Sequence, residues 1–450
     1  RIRAIWDQTV QTGTMPEHFS YGSEFTEEQI NEALASDDPL SLVPTQDTIG
    51  HGTFLAGLSA GSSIPQEDFT GAAPEAELAV VKLKPAKKYL RDFYLIPSDA
   101  PAFQENDIMM GIKYLRMMAD RLKKPLVILL AMGSNSGSHI GTSPLSQVTQ
   151  NYSGFFGIIT VIACGNETGA AHHFYASIPA GTEYEDVEIR VGKEEAERGF
   201  VLELWAADAD TYTVGFISPS GERISRIPII ANNETSIPFL LDATTITVNY
   251  QLIEAESGSQ LIFMRFQTPA AGIWTVRVYN TQRFKGTFHM WLPVQGMISE
   301  ETVFLRPDPY STITVPGNSR LPITVGAYDT STGGIYIHSS RGFTPNQIVK
   351  PELAAPGVNI LGPSVGRKPG SDTPMTTRTG TSAAAAITAG AAANLLGWGI
   401  VEGNYPTMSE ASVKSYLIRG AQRNPALTYP NREFGYGTLD LFQTFLRLRE

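Results

Sequence analysis

The stretch GTSAAAAITAGAAANLL, residues 380–396, decides how the C-terminal part of this chain folds. Its small apolar residues predict a helix that is buried on nearly every side, with Ser382 in the first turn. A nucleophilic serine needs such a position, because its hydroxyl is exposed while the helix behind it is rigid and presents its positive dipole end. A serine that merely caps a buried helix gives the same pattern, and the stretch taken alone favours that interpretation.

A histidine between two glycines opens a second helix of small residues. The sequence reads Gly50-His51-Gly52-Thr53 and continues with mostly small residues to Gly61. The glycines let another backbone or a substrate approach His51 closely. A lone histidine is more often structural than catalytic, but His51 in this setting fits both interpretations about equally.

A third polar residue follows an apolar strand. Residues 160–164 predict a buried strand, and Gly165 and Asn166 come directly after it. An asparagine at a strand end can simply turn a loop. Its amide can also donate a hydrogen bond to an oxyanion that develops during acyl transfer.

The order His51, Asn166, Ser382, with these flanking residues, resembles the subtilisin-like serine proteases. The resemblance extends to a Gly-x-Ala-Pro turn, to the strand and loop that line the S1 pocket, to two further signatures and to a closing turn; these are residues 71–74, 126–137, 323–327, 350–358 and 434–437. It implies an α/β fold in which a parallel sheet lies between two helical layers.

A narrower resemblance is to the clostridial Csp proteases of spore germination. It rests on residues 3–9, 21–34 and 172–175. Csp proteases carry a β-sandwich insertion and act on the precursor of a cortex-degrading hydrolase. The resemblance therefore implies a protein or peptide substrate, the enzyme's own propeptide as a partner and a spore-associated location.

The catalytic aspartate of the subtilisin family has no counterpart in this sequence. The family order is Asp, His, Ser, and its aspartate lies on an early strand that reads roughly Ile-Asp-Thr-Gly. Asp7 aligns with a different position, and Asp47 is too close to His51 in sequence to be the family residue. We therefore expect the acid on a strand upstream of Arg1.

Composition limits the classes of function. Of the 450 residues, 42% are hydrophobic and 18% are charged, which is typical of a large folded core. The net charge of −11 argues against nucleic acid as a partner and weakly favours basic substrates. No apolar run approaches the ~18 residues that a membrane span needs. Cys164 is the single cysteine, so no intrachain disulfide can form, and its strand predicts a buried thiol.

The organisation of the chain changes twice. Residues 1–176 alternate helices with apolar strands, as the helical spacing from Ile108 to Leu122 and the strand from Leu126 illustrate. Residues 177–300 contain short strands rich in β-branched and aromatic residues, which predict an inserted antiparallel β-sandwich of jelly-roll type. Residues 301–450 return to the first pattern. The insert is predicted mainly as a rigid spacer, with a docking surface for substrate or partner as the alternative.

The family resemblance assigns a role to each candidate residue. Ser382 would be the nucleophile, His51 the general base and Asn166 the side-chain donor to the oxyanion. Four residues would bind the substrate, the first three through their backbone edge: Gly133, Ser134, Asn135 and Gly165. Subtilases often bind calcium, but no acidic cluster here allows one to be placed, so we predict no cofactor and no identifiable metal site.

Two alternatives remain at this stage. A chain without a visible aspartate could be a subtilase-like pseudoprotease that binds or signals, although His51, Asn166 and Ser382 are all retained. The pair His172-His173 could lie at the rim of the pocket, but solvated loop histidines are the favoured interpretation. The sequence does not give the natural substrate, the P1 preference or the oligomeric state.

Overall fold

The computed structural model describes residues 1–207, 210–230, 234–282, 284–366 and 374–448. Outside the β-sandwich it contains nine strands, counted over those residues: β1 (Ile2–Asp7), β2 (Ser23–Thr26), β3 (Leu78–Lys82), β4 (Leu126–Leu130), β5 (Ile158–Ala163), β17 (Ile323–Tyr328), β18 (Leu353–Pro356), β19 (Ile360–Pro363) and β20 (Met375–Arg378). The sandwich strands between β5 and β17 are described below.

The helices are α1 (Glu27–Ala35), α2 (Pro39–Leu42), α3 (His51–Ala60), α4 (Lys88–Tyr94), α5 (Glu105–Leu122), α6 (Pro144–Ser153), α7 (Lys193–Arg198), α8 (Thr381–Leu396), α9 (Glu410–Gly420) and α10 (Leu441–Arg447). Local sequence signals explain several of their ends. Thr26 and Gln29 form a capping box at the start of α1, and Ser409 caps α9.

A parallel sheet forms the centre of the molecule, with the strand order β18-β17-β5-β4. One face of the sheet packs against α8 and α9. The other face packs against α5 and α6, where Ile112 and Leu145 meet Ile128 and Ile158. The central strand β5 is buried at every position, as expected for a parallel sheet that is covered on both faces.

The run of alanines lets α8 lie close to the sheet. Ala384 and Ala385 are fully buried and share one cluster with Val161 and Val325 of the sheet. By length and composition Thr381–Val401 could also cross a membrane, although most of that span is buried within the protein. The expectation that no apolar run approaches membrane length is therefore wrong for this helix. Its high hydropathy reflects its place in the core.

The inserted domain consists of two antiparallel sheets that enclose one hydrophobic core. Its strands are β6 (His173–Ile178), β7 (Tyr184–Val191), β8 (Phe200–Ala206), β9 (Tyr212–Ile217), β10 (Arg223–Ile224), β11 (Glu234–Phe239), β12 (Thr244–Gln251), β13 (Leu261–Gln267), β14 (Gly272–Asn280), β15 (Gly286–Trp291) and β16 (Val303–Phe304). The sheet orders are β11-β12-β13-β8-β15-β6 and β10-β9-β14-β7-β16. The predicted fold class, a three-layer α/β domain with an inserted β-sandwich, is confirmed. The division at residues 177 and 300 stays a prediction, and the sandwich strands themselves run from His173 to Phe304.

A smaller sheet, β2-β1-β3, continues the architecture beside the central one. Strands β1 and β3 are parallel. Helix α5 packs against both sheets: its residue Met118 lies in a cluster with Trp6 of β1, and Ile112 lies in the cluster with Ile128 of β4. The helix therefore brings β3 and β4 to face each other across a gap.

Candidate active site

The hydroxyl of Ser382 lies in the first turn of α8, half-buried beside the end of β4. Its Oγ is 3.5 Å from the carbonyl oxygen of Ala131. The N-cap of the helix is Gly380, which makes no side-chain capping bond. Ser382 therefore does not cap the helix, and the interpretation that the motif alone favoured is wrong.

His51 is the first residue of α3, and it too follows a glycine N-cap. Gly50, the N-cap, has φ +80°, a conformation that side chains disfavour. Asp47 accepts hydrogen bonds from the backbone N–H of Gly50 (2.7 Å) and from both the N–H and the hydroxyl of Thr53 (3.0 and 2.7 Å). These contacts make Asp47 a structural cap of the loop and helix, in line with the prediction that it is not the triad acid.

The two helices pack parallel and in register. Phe54 and Leu58 of α3 share a cluster with Ala383 and Ala386 of α8. Further along, a Cβ added to Gly390 would lie 2.7 Å from the carbonyl oxygen of Ser59. Gly390 and Ser59 each lie eight residues after Ser382 and His51, respectively. The register therefore brings the N-terminal ends of both helices, with their polar residues, to the same side of the fold.

The side chain of Asn166 is hydrogen-bonded to the backbone of Thr381, the residue before Ser382. Its Oδ1 accepts a hydrogen bond of 3.0 Å from the N–H of Thr381. This bond fixes the carboxamide, and its Nδ2, which can only donate, has no hydrogen-bond partner among the residues that the structure describes. Gly165, just before it, needs its positive φ of +102° to make the turn. Asn166 therefore does more than turn a loop.

Ser382 and Asn166 line one pocket of about 160 Å³ together with Gly133, Gly165 and Thr314. His51 lines a neighbouring and larger cavity, and the segment Ala131-Met132-Gly133 lines both. A hydrogen bond between His51 and Ser382 is not among those formed by the described residues. Such bonds are often long in unliganded enzymes and tighten in the substrate complex.

Arg378 adds a charge that sequence reasoning missed. Its Nη2 donates to the carbonyl oxygen of Ile49 at 3.4 Å, and its guanidinium lies 5.6 Å from the ring centre of Phe54. Burial, and then this guanidinium, lower the pKa of His51, while Asp47 acts in the opposite direction. A lowered pKa keeps the imidazole neutral and able to accept a proton. No motif in the sequence marks Arg378 for this position.

Of the predicted substrate-binding residues, Gly133 keeps an open backbone edge. Its N–H and C=O have no hydrogen-bond partner within the described ranges. Ser134 pairs through both backbone groups with Val315, at 3.0 and 2.9 Å, which takes up the edge that was predicted to meet substrate. The side chain of Asn135 is buried and donates to Glu167 and to the carbonyl oxygen of Leu292, both at 3.1 Å.

The pair His172-His173 is buried, so the interpretation as solvated loop histidines is wrong. His172 Nδ1 lies 2.9 Å from a carboxylate oxygen of Glu167. His173 Nε2 lies 2.9 Å from Nδ1 of His289 on the neighbouring strand. Both histidines belong to the junction between the catalytic domain and the sandwich. Cys164 is buried as predicted, and burial raises the pKa of its thiol to about 12.

A wide trough separates β3 from β4. Over the described residues, β3 pairs only with β1, and β4 pairs only with β5. Apart from Lys82 at the end of β3, both strands are apolar, yet every residue of β3 and three of the five residues of β4 are only partly buried. A cavity of about 2080 Å³ opens beside β3 and extends as far as the sandwich. Leu78 and Val80 of β3 line it, as do His51 and Met132, which lies just after β4, whereas no residue of β4 itself does.

The part of the chain that the structure describes contains no group of three or more His, Cys, Asp or Glu side chains arranged to hold a metal. The candidate site thus comprises the hydroxyl of Ser382 and the carboxamide of Asn166 beside the carboxyl ends of β4 and β5, with the imidazole of His51 on the wall of the neighbouring cavity. This is where open α/β sheets place their active sites.

The fold is that of a serine peptidase of the subtilisin type. The chain belongs to the Subtilase family, whose sequence profile matches residues 8–218 and 306–437, and it is a serine endopeptidase. The two matched ranges flank most of the sandwich, as expected if the sandwich is an insertion.

Among solved structures, the CspB protease of Clostridium perfringens is similar over the whole chain. It has a TM-score of 0.86 and 29% sequence identity, and the match covers 100% of this chain and 88% of that one. The prenylagaramide maturation protease PagA has 15% identity and a TM-score of 0.45, covering 89% and 82% of the two chains. No curated protein matches the chain.

Proposed function

We propose that the protein cleaves peptide bonds through an acyl-enzyme formed on Ser382. The Oγ attacks the substrate carbonyl, and His51 accepts the hydroxyl proton and delivers it to the leaving amine. Water, activated by the same imidazole, then releases the acyl group and restores Ser382. The observation that carries the proposal is the 3.0 Å bond from Thr381 N–H to Asn166 Oδ1, which ties the carboxamide to the turn that bears the serine.

The oxyanion would be held by two donors. One is the free Nδ2 of Asn166. The other is the backbone N–H of Ser382, which lies in the first turn of α8, where N–H groups have no partner within the helix. Both donors are fixed before the substrate arrives, so they stabilise the developing charge without reorganisation.

The acid of the triad would come from a strand in the trough between β3 and β4. Near-continuous apolar strands belong inside parallel sheets; β4 is wholly apolar and β3 is apolar apart from Lys82, and their half-buried edges fit a strand between them. His51 lines the same cavity, so an aspartate on that strand could reach its ring. The family resemblance implies that this strand lies upstream of Arg1.

The biological role that we propose is activation of a spore-cortex-lytic precursor during germination. Its support is the likeness to the Clostridium perfringens CspB protease, together with the Csp-like segments at residues 3–9, 21–34 and 172–175. The partners would then be a protein substrate and the enzyme's own propeptide. Spores that carry Ser382→Ala should accumulate the uncleaved precursor; normal processing in those spores would contradict this role.

The direct test of the chemistry is hydrolysis of quenched-fluorescent peptides by the protein made from its complete gene. Wild type should cleave them, and Ser382→Ala should not. Hydrogen exchange tests the strand: backbone amides at the facing edges of β3 and β4 should exchange much more slowly in the complete protein than in residues 1–450 alone. Equal exchange in both proteins would contradict the strand proposal.

A further inference from the structure

The pocket beside Ser382 has a wall that the catalytic domain does not supply. Two of its walls follow β4 and β5 and include Gly133 and Gly165. Val294 and Gln295 line the same pocket, and they come from the segment just after β15 of the inserted sandwich. The insert therefore reaches the space next to the nucleophile.

One buried carboxylate joins all three walls. Glu167 directly follows Asn166 and is only 5% exposed. Its Oε1 accepts a hydrogen bond of 3.1 Å from the backbone N–H of Gln295. Its Oε2 accepts a hydrogen bond of 3.1 Å from Nδ2 of Asn135 and lies 2.9 Å from Nδ1 of His172. Burying a carboxylate costs free energy unless hydrogen-bond donors surround it. Glu167 therefore depends on its donors, and the loss of one of them should displace the carboxylate and with it the walls that it contacts.

The sandwich also contacts the outer side of the pocket wall that is formed by the residues after β4. The N–H of Gly137 donates to Glu203 of β8 at 2.9 Å. The ring of His139 stacks on Trp291 of β15, with centres 3.8 Å apart and planes at 2°. Both contacts lie within a few residues of Gly133, so the position of this wall depends on the insert.

We propose that the inserted sandwich is a working part of the specificity pocket: Val294 and Gln295 form its third wall, Glu167 is the positioning residue that locks the walls together, and the pocket takes an uncharged P1 side chain of medium size. The inference rests on the proposed peptidase function. Under this proposal the insert takes a direct part in substrate selection, whereas the sequence predicted mainly a rigid spacer.

Volume and charge define the class of P1 residue. The pocket of about 160 Å³ is close to the ~150 Å³ of a cavity that just holds benzene, so leucine- or glutamine-sized side chains fit and tryptophan does not. The oxygens of Glu167 are already taken by three donors. These donors occupy three of the roughly four lone-pair sites of the carboxylate, so a P1 lysine finds at most one acceptor site there and gains less than it would from a free carboxylate.

The test uses the complete protein and a set of peptides that differ only at P1: Ala, Leu, Gln, Phe, Trp and Lys. Wild type should prefer Leu or Gln over Trp and Lys by about tenfold or more in kcat/KM. Val294→Ala removes wall volume and should raise kcat/KM for P1 Trp relative to Leu by about tenfold. Glu167→Gln turns one acceptor into a donor that faces other donors, and it should raise KM and reduce the P1 preference more than it lowers kcat.

Glu195→Gln is the matched control. Glu195 is a fully buried carboxylate of the same sandwich, satisfied by Ser299, Thr302 and Arg198, but it is not part of the pocket lining. It should lower the melting temperature as Glu167→Gln does and leave the P1 preference unchanged. This separates a positioning role from a general loss of stability.

The outcomes separate the two proposals. If wild type cleaves peptides but Val294→Ala and Glu167→Gln keep the wild-type P1 profile, the insert has no part in specificity and this inference is wrong. A wild-type preference for Lys or Trp overturns the assigned P1 class. If wild type cleaves no peptide and Ser382→Ala behaves identically, it is the peptidase proposal that fails. Should Glu167→Gln not fold, the Val294→Ala profile decides alone.

Discussion

Ser59 and Gly390 fix the register of two parallel helices, because a Cβ on Gly390 would lie 2.7 Å from the Ser59 carbonyl oxygen. This close approach, eight residues beyond His51 and Ser382, aligns the two helix ends that carry the candidate catalytic groups. Only glycine permits it without moving α3 away from α8.

Gly390→Ala should therefore impair both stability and catalysis. The new methyl would also meet the Cβ of Ala72 at 2.5 Å, and overpacking of this kind costs about 1–3 kcal/mol. Gly397→Ala, at the end of the same helix and with open space around it, is the control and should be neutral or slightly stabilising. Urea unfolding and kcat of the two variants check this; equal behaviour would contradict the register argument.

Replacing Arg378 should shift the pH dependence of catalysis. The guanidinium helps to lower the pKa of His51, so in Arg378→Gln that pKa should rise. Because the general base must be neutral, the acidic limb of the kcat/KM profile should then move to higher pH. Arg223→Gln removes a remote charge from the sandwich and should leave the limb in place. A limb unchanged in Arg378→Gln would show that the two groups do not interact.

Asn166→Ala should lower kcat by about 100- to 1000-fold, a magnitude measured in subtilisin itself. KM should change little, since the donor acts mainly on the transition state. Steady-state kinetics with the best peptide checks the split. A variant in which KM rises while kcat stays intact would mean that Asn166 binds substrate rather than the oxyanion.

Thr314 should set the depth of the pocket. A Cβ on Gly133 would lie 2.2 Å from its Oγ1, and one on Gly165 would lie 2.6 Å from its Cγ2, so this side chain fills the space between the two glycines. Thr314→Gly should raise kcat/KM for P1 Phe relative to Leu by about tenfold. Thr314→Val keeps the volume and should keep the preference, although it loses the 3.3 Å bond to the Cys164 carbonyl. A changed preference in the valine variant would assign the effect to the hydroxyl.

Acid should weaken the junction between the two domains. The buried rings of His173 and His289 share one hydrogen bond, which requires at least one of them to be neutral. Burial lowers the pKa of His173 to about 4 and that of His289 well below its usual value. The unfolded chain therefore binds protons first, so stability is full above pH ~6.5 and falls towards pH 4, by up to about 1.4 kcal/mol per pH unit per histidine.

His289→Phe should flatten this decline, as unfolding free energies at pH 7, 5.5 and 4.5 would reveal. The exposed His18 provides the control, and His18→Gln should leave the decline as it is. A wild-type stability that does not change between pH 7 and 4.5 would contradict the assignment.

Sequence patterns were sufficient for the fold, whereas the catalytic roles of His51, Asn166 and Ser382 stay predictions. The alternation of apolar strands with helices predicted the central sheet, and glycine and alanine runs predicted the close helix contacts around His51 and Ser382. These signals are local, because helix periods, caps and buried strands are encoded within about twenty residues. The β-branched segments predicted the sandwich for the same reason.

Long-range contacts were beyond such reasoning. Glu167 meets Gln295 only after the insert folds back onto the catalytic domain, and Thr314 reaches the Cys164 carbonyl from 150 residues away in the chain. The neighbours of these residues in sequence carry no motif that indicates either contact. Arg378 approaches His51 across more than 300 residues of chain. The buried state of His172 could not be read from its loop-like sequence, since its partner Glu167 becomes shielded only by the sandwich.

The central claim is that Ser382 is a nucleophile activated by His51 and assisted by Asn166. The most direct measurement is covalent labelling of the complete protein by a fluorophosphonate, with the modified residue identified by mass spectrometry. We expect one adduct, on Ser382, which forms much more slowly in His51→Ala and is absent in Ser382→Ala. An unlabelled wild-type protein, or an adduct on any other residue, would contradict it.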